Sequence, residues 1–318
     1  MQQAITFPRI GIYTNLMKQM LEELGVTVIL PPPITQNTIK FGVKYSSDFM
    51  CFPFKVVLGN LIEALEIAKN NNVRLTHIGV GYNDGNLGKN SCRFQHYFEI
   101  QKRILKDADY DLDMVLIEGK QIFKFLKQIN PKNNYIKIVR TFWKYYKKAK
   151  ELEEKYYMFD WNDKTRVRIG LVGEWYTLVA NEINYDIYNK LKKMNVNVYF
   201  APCGTLTGFL RHQIYLEDIP KRYIKEGKKY YKGEIQGHGK YSLWNMFFFK
   251  DKDFDGIFHF MPLSCMPEST VEMLMDLQSK KMNLPVYHFP IDEEIFLTGM
   301  DMRIKSIIRI LERNKNEV

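Results

Sequence analysis

Gly256-Ile257-Phe258-His259-Phe260, followed closely by Leu263-Ser264-Cys265-Met266-Pro267-Glu268, decides the fold class. The first stretch reads as an apolar strand. Pro267 stands two residues past Cys265, where it suits the first turn of a helix because its missing N–H costs nothing there. Val271, Leu274 and Met275 mark the apolar face of that helix. A strand that turns straight into a helix is the repeating unit of an α/β domain. The Cys265 thiol then faces the unpaired amides of a helix N-terminus, a setting that favours the thiolate.

Working outward, the same alternation recurs. Val167 to Glu174 reads as a strand running into a turn, followed by a helix to Met194 and the strand Val196 to Phe200. Pro285 to Phe289 is a further strand before a last helix from about Met300 to Arg313. Toward the N-terminus, Ile10 to Leu24 is helical in pattern, and Val26 to Leu30 is a short β-branched run stopped by Pro31-Pro32-Pro33. Phe54, Val57, Leu58, Leu61, Ile62 and Leu65 share one helix face. A strand near Arg74 to Ile78 leads into a glycine-spaced loop, Gly79 to Gly88, and a helix runs from Phe94 toward Lys106. Asp113 to Ile117 is another strand. The charged, aromatic stretch from Pro131 to about Lys164 shows no strand pattern. The reading is two Rossmann-like or flavodoxin-like α/β domains, residues 1–130 and 165–318, joined by a helical segment at 131–164, with the site in the cleft between the domains.

Met50-Cys51-Phe52-Pro53-Phe54-Lys55 repeats the Cys-x-Pro pattern of Cys265, and Cys92 follows the glycine-spaced loop. All three are read as lying where a strand ends and a helix begins. Ligands of open α/β sheets bind beyond the carboxyl ends of the strands, so thiols placed there converge on one object, for which an iron–sulfur cluster is the candidate. Packing stands beside ligation as a reading for each, because cysteine is among the most buried residue types. The chain has no Cys-x-x-Cys, no Cys/His zinc spacing and no clustered ferredoxin run, so a metal site has to be assembled from distant segments. Cys203, in Ala201-Pro202-Cys203-Gly204-Thr205, is read as a strand-end thiol outside the ligand set, and His259 and His288 as satisfied core residues.

At 318 residues, 46% of them hydrophobic, the chain suffices for two domains of ordinary size. The start, Met1 to Pro8, lacks the charged and apolar segments of a signal peptide, and no apolar run reaches membrane-spanning length, so a cytoplasmic, reducing setting is expected. The net charge of +10 gathers in Trp143 to Lys150 and Lys221 to Lys232, where Lys and Tyr interleave. These runs are read as solvated faces, with no nucleic-acid motif beside them. No Gly-x-x-x-x-Gly-Lys-Ser/Thr loop is present, and Gly170-Leu171-Val172-Gly173 is not followed by Lys-Ser/Thr, so ATP binding is not expected of this chain.

Taken together, Lys40 to Tyr45, Cys51 to Lys55, Leu58-Gly59-Asn60, Cys92-Arg93-Phe94, Gly237-His238-Gly239-Lys240, Phe254 to Ile257, Cys265 to Glu268 and Ile291-Asp292-Glu293 resemble, in order, the 2-hydroxyacyl-CoA dehydratase D-component family and its activase-associated and double-cubane-cluster relatives. The resemblance implies that Cys51, Cys92 and Cys265 ligate an iron–sulfur cluster, [4Fe-4S] or double-cubane, that is oxygen-sensitive and typical of anaerobes. It also implies a separate ATP-hydrolysing activator of the actin/hexokinase type that delivers a low-potential electron. The chemistry that follows is reduction of a small molecule or, alternatively, radical dehydration of a 2-hydroxyacyl-CoA by a homodimer or a heterodimer with a related subunit. A cluster-free α/β binding protein is the remaining alternative. Lys55 and Arg93 are the candidate cofactor-binding residues, and His238 and Glu268 the candidate catalytic ones, with Glu268 also placed to cap its helix. Lys55 and the two basic runs are expected to dock the activator by charge steering. Where the relatives carry glycine around Cys-Arg-Phe, this chain has Asn90-Ser91 and Gln95-His96.

Overall fold

The computed structural model describes residues 2–81, 94–118, 122–201, 204–213, 221–231, 235, 237–294 and 297–317. The chain forms two compact units that change over between Leu152 and Glu153, with short exchanges elsewhere. No helix among the described residues is long and apolar enough to cross a membrane.

The first unit contains β1 (Gln2–Thr6), a 3-10 turn (Gly11–Tyr13), α1 (Thr14–Glu23), α2 (Gln36–Tyr45), α3 (Phe52–Asn70), β2 (Val73–Gly81), α4 (Phe94–Asp107), β3 (Asp113–Glu118), α5 (Ile122–Ile129) and α6 (Tyr135–Tyr156), whose last turn passes the changeover. The strands are parallel in the order β1-β2-β3, with Thr6 opposite His77 and Thr76 opposite Asp113. The run expected as a strand at Val26 to Leu30 makes a single bridge, Val28 to Ile5. Three prolines without N–H groups follow it and offer no further ladder. Gly79 to Gly81, expected in a loop, complete β2.

Ahead of Cys51 the structure places a helix, α2, where a strand end was expected. Its start is fixed by a capping box in which Thr35 accepts from the backbone of this first turn while Thr38 Oγ1 accepts from Thr35 N at 3.0 Å. α2 and α3 touch backbone to backbone. A Cβ on Gly42 would lie 1.8 Å from the Lys55 carbonyl oxygen, and one on Gly59 would lie 1.9 Å from that of Thr38.

The second unit contains β4 (Arg168–Gly173), α7 (Trp175–Val179), α8 (Ile187–Lys193), β5 (Asn197–Phe200), α9 (Leu206–Gln213), α10 (Lys221–Tyr230), α11 (Gly239–Asp251), β6 (Gly256–Pro262), α12 (Met266–Met282), β7 (Val286–Ile291) and α13 (Leu297–Asn316). Its strands are also parallel, in the order β5-β4-β6-β7. Every residue of β4 and β6 is buried, as strands covered by helices on both faces require. Phe249, Ile257, Val271 and Met275 form the core between this sheet and α11 and α12. The helix expected to reach Met194 is two helices. Asn184 Nδ2 donates to the Thr177 and Leu178 carbonyls at the end of α7, and Tyr185 and Asp186 are left-handed at φ 64° and 51°, which breaks the helical path. Two units built on parallel sheets make this an α/β protein.

Candidate functional site

In the first unit, Cys51 is the N-cap of α3, extended at φ −65° and ψ 153°, with Pro in the first turn behind it. Its side chain is buried, and Sγ lies 2.9 Å from the Tyr97 hydroxyl on α4. Tyr97 is itself held edge-on to Phe54 at 4.6 Å. The N-terminal amides of a 19-residue helix and a phenol are both groups that stabilise a thiolate. Lys55, one turn into α3, is 2% exposed and its Nζ donates to the Asp48 carbonyl at 3.4 Å. That burial removes Lys55 from any surface docking face. Cys92 and Arg93 lie outside the described residues, as does Cys203.

In the second unit the chain leaves β4 for β5 on one side and then crosses to β6 on the other, so the topological switch lies between the carboxyl ends of β4 and β6. Those ends carry Glu174 and Cys265. Gly173 turns the chain at φ 142°, where a Cβ would sit 1.9 Å from the Phe260 carbonyl oxygen, and only glycine fits. Glu174 then caps α7, accepting from Tyr176 N at 2.9 Å and from Thr177 N and Oγ1 at 2.8 Å each. Loss of hydration raises its carboxyl above the usual range, those hydrogen bonds oppose the rise, and the charge of Glu268 adds to it.

Cys265 is the buried N-cap of α12, reached through Ser264 at φ 65°. Three residues on, Glu268 turns into the core instead of capping the helix, and is 0% exposed. Its Oε2 pairs with His259 Nε2 at 2.8 Å and accepts from Ser242 Oγ at 2.9 Å, while Oε1 has no partner among the described residues. His259, opposite His288 in the β6–β7 register, meets it Nδ1 to Nδ1 at 2.7 Å, and His288 Nε2 pairs with Asp276 Oδ1 at 3.0 Å. Burial, then the neighbouring His259, lowers the His288 pKa, which Asp276 and Glu272 partly offset.

His238 is the N-cap of α11 and stacks on Phe209 at 5.7 Å. The next residue, Gly239, lets α11 meet the start of α12, since a Cβ there would lie 2.3 Å from the Pro267 carbonyl oxygen. His238, Cys265 and Glu268 are therefore gathered at the adjoining N-terminal ends of α11 and α12. The sequence reading passed over Glu174, Ser242 and the partnership of the two strand histidines. The signal available was that both histidines sit at the middle of apolar strands that align residue for residue.

Among the described residues no group of three His, Cys, Asp or Glu side chains is placed to hold a metal ion. The donor chemistry of Cys51 and Cys265 nonetheless fits a thiolate-bound cofactor, because each thiol stands at the amide end of a long helix. In the basic runs, Tyr145 and Tyr223 are buried and the lysines around them face solvent. Lys144 is paired with Glu23 at 2.6 Å.

Fold and site define a two-unit parallel α/β protein in which buried cysteines open helices. Residues 9–203 match the CoA enzyme activase uncharacterised domain (DUF2229), and the chain belongs to that family. Cys51 and Cys92 fall within the matched residues and Cys265 beyond them. No curated protein matches the chain.

Proposed function

We propose that this protein is an iron–sulfur redox protein of the activase-related kind. It takes a low-potential electron from a separate ATP-hydrolysing activator and uses it for reductive chemistry on a small or acyl-CoA substrate. The observation that carries this reading is the matched setting of Cys51 and Cys265, each a buried N-cap with proline in the first helical turn. Membership in a family described by CoA enzyme activation supports the kind of partner. In this reading Cys51, Cys92 and Cys265 hold the cluster, which supplies one-electron chemistry when bound. Lys55, Arg93 and His238 supply donors around it. Glu268 holds or releases a proton at Oε1, which has no partner among the described residues.

Iron and acid-labile sulfide measured on anaerobically purified protein test the reading. Wild-type protein is expected to carry both, Cys51→Ala, Cys92→Ala or Cys265→Ala to lower them sharply, and Cys203→Ala to leave them nearly intact. Colourless wild-type protein without iron would leave a cluster-free α/β binding protein. Reduction of the cluster by a weak donor is expected to need activator and ATP together, and to fail with ATP alone.

A further inference from the structure

The chain Asp276–His288–His259–Glu268 connects the protein surface to a buried carboxylate without a gap. The Asp276 side chain is 57% exposed, His288 14%, and His259 and Glu268 0%. Three contacts of 3.0, 2.7 and 2.8 Å join them. Each contact needs one proton between its two atoms, so the four groups share three protons and one net negative charge when all contacts are made. The arrangement with Glu268 protonated and Asp276 charged converts into its mirror, Glu268 charged and Asp276 protonated, when each proton crosses its own hydrogen bond. No ring has to rotate and no group leaves its place. The intermediate arrangement puts one positive charge on the histidine pair between two carboxylates. Both rings cannot be cationic at once, because two N–H groups would then face each other at 2.7 Å.

We propose that Asp276, His288, His259 and Glu268 form a proton wire that moves protons between solvent and the carboxyl ends of β4 and β6. The inner end has the features of a delivery point. Ser242 and His259 fix Oε2 of Glu268, Oε1 has no partner among the described residues, and a proton arriving at Oε2 is balanced by release of one held at Oε1, while the Glu268 carboxylate also bears electrostatically on Glu174. At the outer end Glu272, on the same helix as Asp276, is the other carboxylate bearing on His288. Histidine pairs between carboxylates are suited to this task because each ring accepts at one nitrogen while it donates from the other. The inference stands on these four residues and does not depend on a cluster being bound.

The test is nitrogen NMR of histidine-labelled protein, with exchange of ring protons with water as the second readout. Asp276→Asn changes the exposed end of the wire and leaves the core untouched. Its effect is expected to travel, shifting the ring nitrogen signals of His259 together with those of His288. His288→Gln keeps a hydrogen-bonding side chain but cannot pass a proton. In that variant the His259 ring proton, sealed from solvent, is expected to exchange with water at least about tenfold more slowly than in the wild type. A static hydrogen-bonded brace would leave His259 unmoved by Asp276→Asn and its exchange unchanged by His288→Gln. Either result overturns the proposal, and the Asp276→Asn arm decides it even where His288→Gln fails to fold.

Discussion

α3 and α12 both begin with a Cys-x-Pro, and they are secured by different means. α3 is clamped to α2 through two glycines that admit only backbone, Gly42 against Lys55 and Gly59 against Thr38. α12 has one such contact, Gly239 against Pro267, and adds a buried polar anchor in which Glu268 joins His259 and Ser242. The same local pattern thus leaves the first unit sensitive to volume and the second to charge. Close-packed backbone cannot absorb a methyl group, and a buried carboxylate cannot lose its partners without a desolvation cost.

Gly42→Ala is expected to have the largest effect, lowering stability by about 3 kcal/mol or more, because the new methyl meets a carbonyl on a neighbouring helix. Denaturant unfolding measures it, and a near-neutral result would remove the steric half of the contrast. Glu268→Ala comes next, at about 2 kcal/mol, through the unpaired His259 and Ser242 groups it leaves behind. Glu268→Gln, which restores an acceptor, is expected to recover part of that loss in the same unfolding assay.

His77 is where the contrast is expected to break, since it places a titrating group in the volume-sensitive unit. Burial lowers its pKa from 6.5 to about 3, although a hydrogen bond to the Thr6 backbone pulls upward. The unfolded chain therefore takes up a proton below 6.5 that the folded chain refuses until about 3, so this group lowers stability as pH falls through that window. The slope amounts to about 1.4 kcal/mol per pH unit at most. The lowered pKa of His288 acts with the same sign. His77→Gln is expected to flatten the acid limb of stability against pH, and an unchanged limb would assign acid sensitivity to the second unit alone. Gly299→Ala gives the smallest effect. A Cβ there meets nothing within 4 Å, and the helix α13 is expected to gain about 0.5–1 kcal/mol, read as a small rise in Tm.

The α/β class was legible from strand and helix periods alone, as the strands that lead into Cys265 and Glu174 illustrate. Other elements were not legible. β1 is rich in glutamine and becomes a strand only by pairing with β2, about seventy positions along the chain. Val26 to Leu30 has strand-forming residues but, among the described residues, finds only Ile5 to pair with. The helix ahead of Cys51 was announced by Thr35 and Thr38, a capping box without the usual Glu or Gln.

For the site, the sequence by itself determined which residues open helices, because proline in a first turn is a local signal needing no partner. It also placed Cys265 and Glu268 on either side of that first turn. Only the tertiary structure decided which way Glu268 faces, that Lys55 is buried, and that His259 and His288 meet across adjacent strands. Those outcomes depend on strand order and register, which bring together residues that no local pattern connects. The same side chain caps a helix in solvent and anchors a proton-sharing chain in the core, and burial makes the difference.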